Sequence, residues 1–231
     1  MVENQITRRG VRDENVLRAM RRVPRERFVP ADLLAHAYED SPLPIGEGQT
    51  ISQPYIVAVM LEAAAIAPDD SVLEVGAGSG YAAAVISLMA ATVRAIERHG
   101  GLARRAAQRL HVLGYRNIEV REGDGTRGWP EAAPFDAIVV AAGGPDVPPA
   151  LKSQLAIGGR LVMPVGDADR QRLVKVTRCG EDAYDQVDLG AVSFVPLIGE
   201  QGWNGEGRRA DDDLGAGSPV LRPMSAQRSP R

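Results

Sequence analysis

The segment Val72-Leu73-Glu74-Val75-Gly76-Ala77-Gly78-Ser79-Gly80-Tyr81 constrains the fold more than any other part of the chain. An apolar run ends in an acid and then in glycines at alternate positions, the pattern of a strand, a tight turn and a helix start. Glycine adopts backbone angles closed to other residues and lets a ligand approach the main chain. Alternate glycines after a strand therefore point to a nucleotide-sized ligand, with an ordinary strand-to-helix turn as the other reading. The spacing narrows the ligand. A dinucleotide fingerprint is Gly-x-Gly-x-x-Gly, and Tyr81 stands where its third glycine would fall.

From residue 71 onward, short apolar runs alternate with longer helical segments, which predicts a mostly parallel sheet covered on both faces, a doubly wound α/β fold. Strands are expected at 72–75, 93–96, 118–121, 137–140 and 160–163, with helices at about 81–90, 102–113 and 149–155. Residues 172–177 and 189–196 read as later strands, with a hairpin through the polar stretch 180–188 as one way of joining them. Ahead of this core, Val16, Leu17 and Met20 at helical spacing predict an amphipathic helix over 13–22, with acids in its first turn and arginines in its last. Pro24, Pro30, Pro42 and Pro44 then mark a loop-rich lid region ending in Gly46-Glu47-Gly48. Ser52 is a natural N-cap for a helix over about 53–65, with Pro54 tolerated in its first turn. After Trp203 the chain is rich in Gly, Pro, Ser, Arg and Asp, so a disordered tail is expected. The division is thus an N-terminal helical and substrate-facing segment at 1–70, a core at 71–203 and a tail at 204–231.

Composition limits the function classes. The 231 residues carry a formal net charge of -3, which suggests neither a nucleic-acid binder nor a membrane-surface protein. Arginines crowd residues 8–27, but interleaved acids make a solvated helix face the favoured reading over an RNA-binding arm. A single cysteine, Cys179, excludes an intramolecular disulfide and makes a reducing cytoplasm the default, with Cys179 an inert residue near a strand. His36, His99 and His111 show no ligand-like clustering, so no metal is expected.

Three strand ends carry candidate chemistry. The Glu74-x-Gly76-x-Gly78-x-Gly80 pattern resembles motif I of S-adenosylmethionine-dependent methyltransferases. Glu97 ends the second core strand, where a doubly wound fold places an acid that accepts ribose hydroxyls. Asp124, between Gly123 and Gly125, follows the third, where a carboxylate can accept from an adenine amino group.

The segment Gly46-Glu47-Gly48-Gln49-Thr50-Ile51-Ser52-Gln53-Pro54 resembles the protein-L-isoaspartate O-methyltransferase family, whose members carry Gly-x-Gly-Gln-Thr-Ile-Ser-x-Pro ahead of motif I. Phe28-Val29-Pro30, Ala37-Tyr38-Glu39-Asp40, Gly123-Asp124-Gly125, Ala133-Pro134-Phe135-Asp136-Ala137-Ile138, Gly158 to Gly166 and Phe194-Val195-Pro196-Leu197 follow the family's pattern in the family's order. The likeness spans about 11–203. Ala141-Ala142-Gly143-Gly144-Pro145 departs from the usual Thr-Ala-Ala-Ala-Pro.

The resemblance implies transfer of a methyl group from S-adenosyl-L-methionine to the free α-carboxylate of an L-isoaspartyl residue in damaged proteins and peptides, leaving S-adenosyl-L-homocysteine. The ester then collapses to a succinimide, whose hydrolysis partly restores a normal aspartyl linkage. It further implies Ser52 as the active-site serine, Thr50, Ser52 and Val195 as substrate-binding, and Glu74, Gly76, Gly78, Glu97, Asp124 and Gly125 as cofactor-binding. A monomer is expected, with no nucleic-acid or membrane partner.

The chemistry is coherent with these residues. A carboxylate is ionised at neutral pH, so it needs no general base, and the lack of an obvious catalytic His or Cys is expected. What matters is an oxygen held in line with the methyl–sulfur bond and shielded from water. Two alternatives stay open: a relative that methylates an aspartate side chain in a peptide precursor, and an S-adenosylmethionine-binding or RNA-binding module without turnover.

Overall fold

A computed structural model describes residues 1–167 and 170–204. The expected tail lies outside these residues from position 205 onward. Seven strands form one sheet: β3 (Ser71–Val75), β4 (Thr92–Glu97), β5 (Ile118–Glu122), β6 (Phe135–Val140), β7 (Leu155–Gly166), β8 (Gln171–Arg178) and β9 (Tyr184–Val192), in the order β5-β4-β3-β6-β7-β8-β9. The first five pair in parallel, and β8 and β9 add an antiparallel edge. This is the expected doubly wound, mostly parallel sheet. The order runs outward in two directions from β3, so the topological switch point lies at the end of the strand that leads into the glycine turn.

The central strands β3 and β6 are mainly apolar and buried because both faces of the sheet are covered there. Side chains alternate across the sheet with period two. Val72, Ala137 and Val139 join a core with the N-terminal segment, whereas Leu73, Val75, Ile138 and Val140 face a second core containing Trp129 and Leu151. The first core takes in α1 (Glu14–Arg22), α2 (Pro54–Ala64) and α3 (Tyr81–Ser87). Asp13 caps α1, its carboxylate accepting from the N–H groups of Asn15 and Val16. α4 (Gly100–Val112) packs on β4 and β5 and adds Leu110 to this same first core, whereas α5 (Pro149–Ser153) packs on β7 and adds Leu151 to the second. Arg160 on β7 donates to the carbonyls of Ala64 and Ala65 and pairs with Asp70 at 2.8 Å, which satisfies the carbonyl end of α2.

Several local expectations are corrected. The loop-rich lid contains a hairpin, β1 (Leu43–Gly46) with β2 (Gln49–Ile51), because Glu47 and Gly48 both take positive φ and turn the chain tightly between two short runs. The N-cap of α2 is Gln53 rather than Ser52, and its side chain makes no capping bond; the Tyr55 N–H of the first turn donates to Asp40 Oδ1 at 3.1 Å instead. The third helix stops at Ser87 rather than 90, and the fifth at Ser153, with Leu155 already in β7. The last strand starts at Tyr184, so the polar stretch belongs partly to an edge strand whose side chains are largely exposed. The arginine-rich segment is a solvated face at Arg8, Arg9, Arg12, Arg18, Arg21, Arg22 and Arg27, but it is not one helix, and Arg25 is 0% exposed. Cys179 is exposed just after β8. Among the described residues no helix is long and apolar enough to cross a membrane.

Candidate active site at the switch point

A cleft enclosing about 780 Å³, open solvent included, lies at the carboxyl end of β3. Gly76, Gly78 and Gly80 all take positive φ (91°, 53° and 88°), a backbone path that side chains other than glycine rarely adopt. The turn is stitched to the next strand: Gly76 and Ala77 N–H groups donate to the Ile96 carbonyl, and the Gly78 N–H donates to Glu97 Oε2 at 2.9 Å. Gly125 lies so close to β3 that a Cβ there would sit 2.3 Å from Val75 Cγ1, so this wall of the cleft demands glycine.

Glu97 is 4% exposed, and its second oxygen accepts from the His99 N–H at 2.9 Å. Each oxygen thus has one backbone donor. An ionised carboxylate has about four acceptor positions, so capacity remains toward the cleft, which Glu97 lines. Glu74 also lines the cleft, and its Oε2 is buried without a hydrogen-bond partner. Burial first, and the charge of Glu97 second, push its pKa well above the ordinary carboxyl range, with a backbone contact from Ala83 opposing.

That shift has a testable sign. A buried acid with a raised pKa holds its proton in the folded protein after the unfolded chain has lost it. The stability it contributes is fully present below about pH 4.3, the unperturbed glutamate value, and is lost as pH rises toward the folded value. Glu74→Gln carries no proton to lose, so the ligand-free variant is expected to gain in melting temperature on the wild type as pH is raised from about 4 to 8. A difference that stays constant across that range would mean that Glu74 ionises freely.

The opposite wall comes from the hairpin and the C-terminal segment. Thr50, Ser52 and Val195 all line the same cleft. Among the described residues, no protein group hydrogen-bonds the side-chain hydroxyl of Thr50 or Ser52. The Val195 carbonyl accepts from the Gly143 N–H at 2.8 Å, and the Gly143 carbonyl accepts from Leu197 N–H and Trp203 Nε1. Here the departure at Gly143 finds its reason: a Cβ would lie 2.6 Å from Gln171 Nε2, and Gln171 is the side chain that brackets Phe194 through both its backbone groups.

Asp124 stands apart from the other site candidates. It is not among the residues lining the cleft, and its carboxylate accepts from the N–H and hydroxyl of Thr126 and from the Glu200 N–H at 2.8 Å. An adenine amino group would join an acceptor already serving three donors. Sequence reasoning missed Tyr81, Arg98 and Leu197, all in the cleft wall, because an aromatic at a helix start or an arginine after a strand carries no spacing signal of its own.

Fit to S-adenosylmethionine can be judged on these features. The unpartnered carboxyl oxygen of Glu74, the glycine cradle and the spare acceptor capacity of Glu97 match a ligand with a cationic amino acid end and a ribose. With the doubly wound sheet and its Glu-x-Gly-x-Gly-x-Gly turn at the switch point, they define the class of S-adenosylmethionine-dependent methyltransferases. Residues 1–202 match the family model of Protein-L-isoaspartate(D-aspartate) O-methyltransferase, and the chain belongs to that family. It is 61% identical over 204 residues to Protein-L-isoaspartate O-methyltransferase 1 of Rhodopseudomonas palustris strain HaA2, covering 88% of this chain and 83% of that protein. A relative of the same name in strain ATCC BAA-98 / CGA009 is 59% identical, with 88% and 94% covered. A solved structure from Plasmodium falciparum, of a protein carrying the same family name and in complex with S-adenosyl-L-homocysteine, superposes with a TM-score of 0.75 at 26% identity, covering 85% of this chain and 96% of that one. The activity of the family is S-adenosylmethionine-dependent methylation of isoaspartyl residues.

Proposed function

We propose that the cleft holds S-adenosylmethionine against the glycine turn and receives the free α-carboxylate of an L-isoaspartyl residue from the side of Thr50, Ser52 and Val195. One observation carries this division of labour: two hydroxyls without protein partners line the same cleft as Glu74, Gly76, Gly78 and Glu97. When bound, the cofactor supplies a methyl group on a sulfonium sulfur. Glu97 accepts the ribose hydroxyls, Glu74 faces the amino acid end, and Gly125 leaves room for the base. Asp124 serves the base either directly or by fixing Gly125 and the 199–201 segment through its bonds to Thr126 and Glu200. Thr50 and Ser52 donate to the substrate carboxylate and orient it. Neither needs to move a proton, because the nucleophilic oxygen is already anionic.

Isoaspartyl proteins and peptides are the substrates in this reading, met by a cytoplasmic monomer without a nucleic-acid partner. The formal net charge of -3 supports the lack of a nucleic-acid partner, and the single cysteine a reducing compartment. The segment 1–70 is the substrate-facing layer on the core at 71–203. Labelled methyl transfer to matched isoaspartyl and aspartyl peptides, followed by base-labile release of methanol, tests the function. Transfer to the isoaspartyl peptide alone is expected. Preference for the aspartyl twin would assign the chain to aspartate-side-chain methylation, and cofactor binding without transfer would make it a binding module.

A further inference from the structure

Arg25 opens a short 3-10 turn, Arg25–Phe28, between α1 and the hairpin. Its side chain is fully buried and spans two halves of the molecule. Nε donates to the Ala37 carbonyl at 2.8 Å and Nη2 to the Ser52 carbonyl at 2.9 Å. The guanidinium carbon lies 4.8 Å from the ring centroid of Tyr81, the first residue of α3 after the glycine turn and itself part of the cleft wall. Arg25 Nη1 and the Tyr81 hydroxyl are buried with no hydrogen-bond partner. Among the described residues, no carboxylate reaches ion-pair distance of Arg25. Asp40 acts on it at longer range, its own oxygens bonded to Arg9, Gln53 and the Tyr55 N–H.

A buried cation without a paired anion is unfavourable, and an apolar side chain of similar volume would fill the space without that cost. Packing alone therefore does not explain an arginine here. Its geometry does: two fixed donors tie the Ala37 carbonyl, ahead of the hairpin, to the Ser52 carbonyl at its exit, and the guanidinium lies over the ring of the residue that follows the glycine turn. We propose that Arg25 is a positioning residue for methyl transfer, setting the Ser52 hydroxyl relative to the glycine turn by clamping the Ser52 carbonyl over Tyr81. The assignment rests on the reading of Ser52 as a carboxylate-holding residue.

The test is a double-mutant cycle with Arg25→Lys and Ser52→Ala, alongside Arg25→Met, read by melting temperature, S-adenosylmethionine affinity and single-turnover transfer to an isoaspartyl peptide. Lysine keeps the charge but cannot hold both carbonyls in one plane. Misplacing a reacting group by about an ångström costs up to about a hundredfold, so Arg25→Met is expected to slow transfer about tenfold or more and Arg25→Lys less, with cofactor affinity changed by under about twofold. Because Arg25 acts through Ser52, adding Arg25→Lys to Ser52→Ala should cause little further loss. Additive losses, or a lowered melting temperature with a normal rate per folded molecule, would overturn the proposal. So would failure of both Arg25 variants to bind cofactor, since that marks a general structural role. A normal rate for Ser52→Ala alone would instead remove the reading of Ser52 on which it rests.

Discussion

Glu97→Ala is expected to weaken S-adenosylmethionine binding by about 1.5–3 kcal/mol, roughly tenfold to hundredfold, the usual worth of hydrogen bonds to a charged acceptor. The carboxylate is nearly inaccessible, and it also fixes the turn that lines the cofactor cleft, through the Gly78 and His99 N–H groups. Removing it takes away the proposed ribose acceptor and frees the Gly78 amide together. One compensation works the other way. After burial, the charge of Glu97 is the second influence that raises the pKa of Glu74, so its loss eases ionisation of Glu74 and favours a cationic group nearby. Glu97→Gln, which keeps an acceptor oxygen, should fall between. Titration calorimetry on folded variants checks the order, and unchanged affinity in Glu97→Ala would place the ribose elsewhere.

Where the sequence was readable, and where it was not, follows from the range of the interactions. The glycine turn and its strand were legible because backbone requirements at Gly76, Gly78 and Gly80 are local, each a positive φ. Glu97 was legible because the parallel sheet places successive strand ends along one edge. Arg25 was not. It sits among arginines that are all exposed, and only the tertiary fold carries Ala37, Ser52 and Tyr81 to its side chain. The cap of α2 failed for a related reason, since Ser52 has the right side chain but the hairpin exit directs its backbone to Arg25 and leaves Gln53 at the helix start. The last strand begins earlier than its sequence pattern suggests because Asp185, Gln186 and Asp188 belong to an exposed edge, where pairing with β8 outweighs side-chain preference. Asp124 shows a limit of another kind: it follows β5 as the sequence suggests, but one of its donors is the Glu200 N–H, 76 positions away, which no local pattern signals.

Ser52→Ala is expected to lower methyl transfer about tenfold or more while leaving S-adenosylmethionine affinity nearly intact, consistent with loss of one hydrogen bond to a charged group plus some misplacement. The hydroxyl has no protein partner, so removing it breaks no internal bond among the described residues. It does not cap α2 either, and the loss of about 1 kcal/mol that follows removal of a capping serine is not expected. The backbone carbonyl that receives Arg25 survives the substitution, so the loop should keep its place. Cofactor binding, stability and transfer therefore separate in this variant. Melting temperature and cofactor affinity should match the wild type, and the single-turnover rate alone should drop. Thr50, exposed at the mouth of the cleft, offers a second hydroxyl, so some transfer persists. A rate equal to wild type would leave Thr50 or backbone groups as the carboxylate's holders and would remove Ser52 from the chemistry.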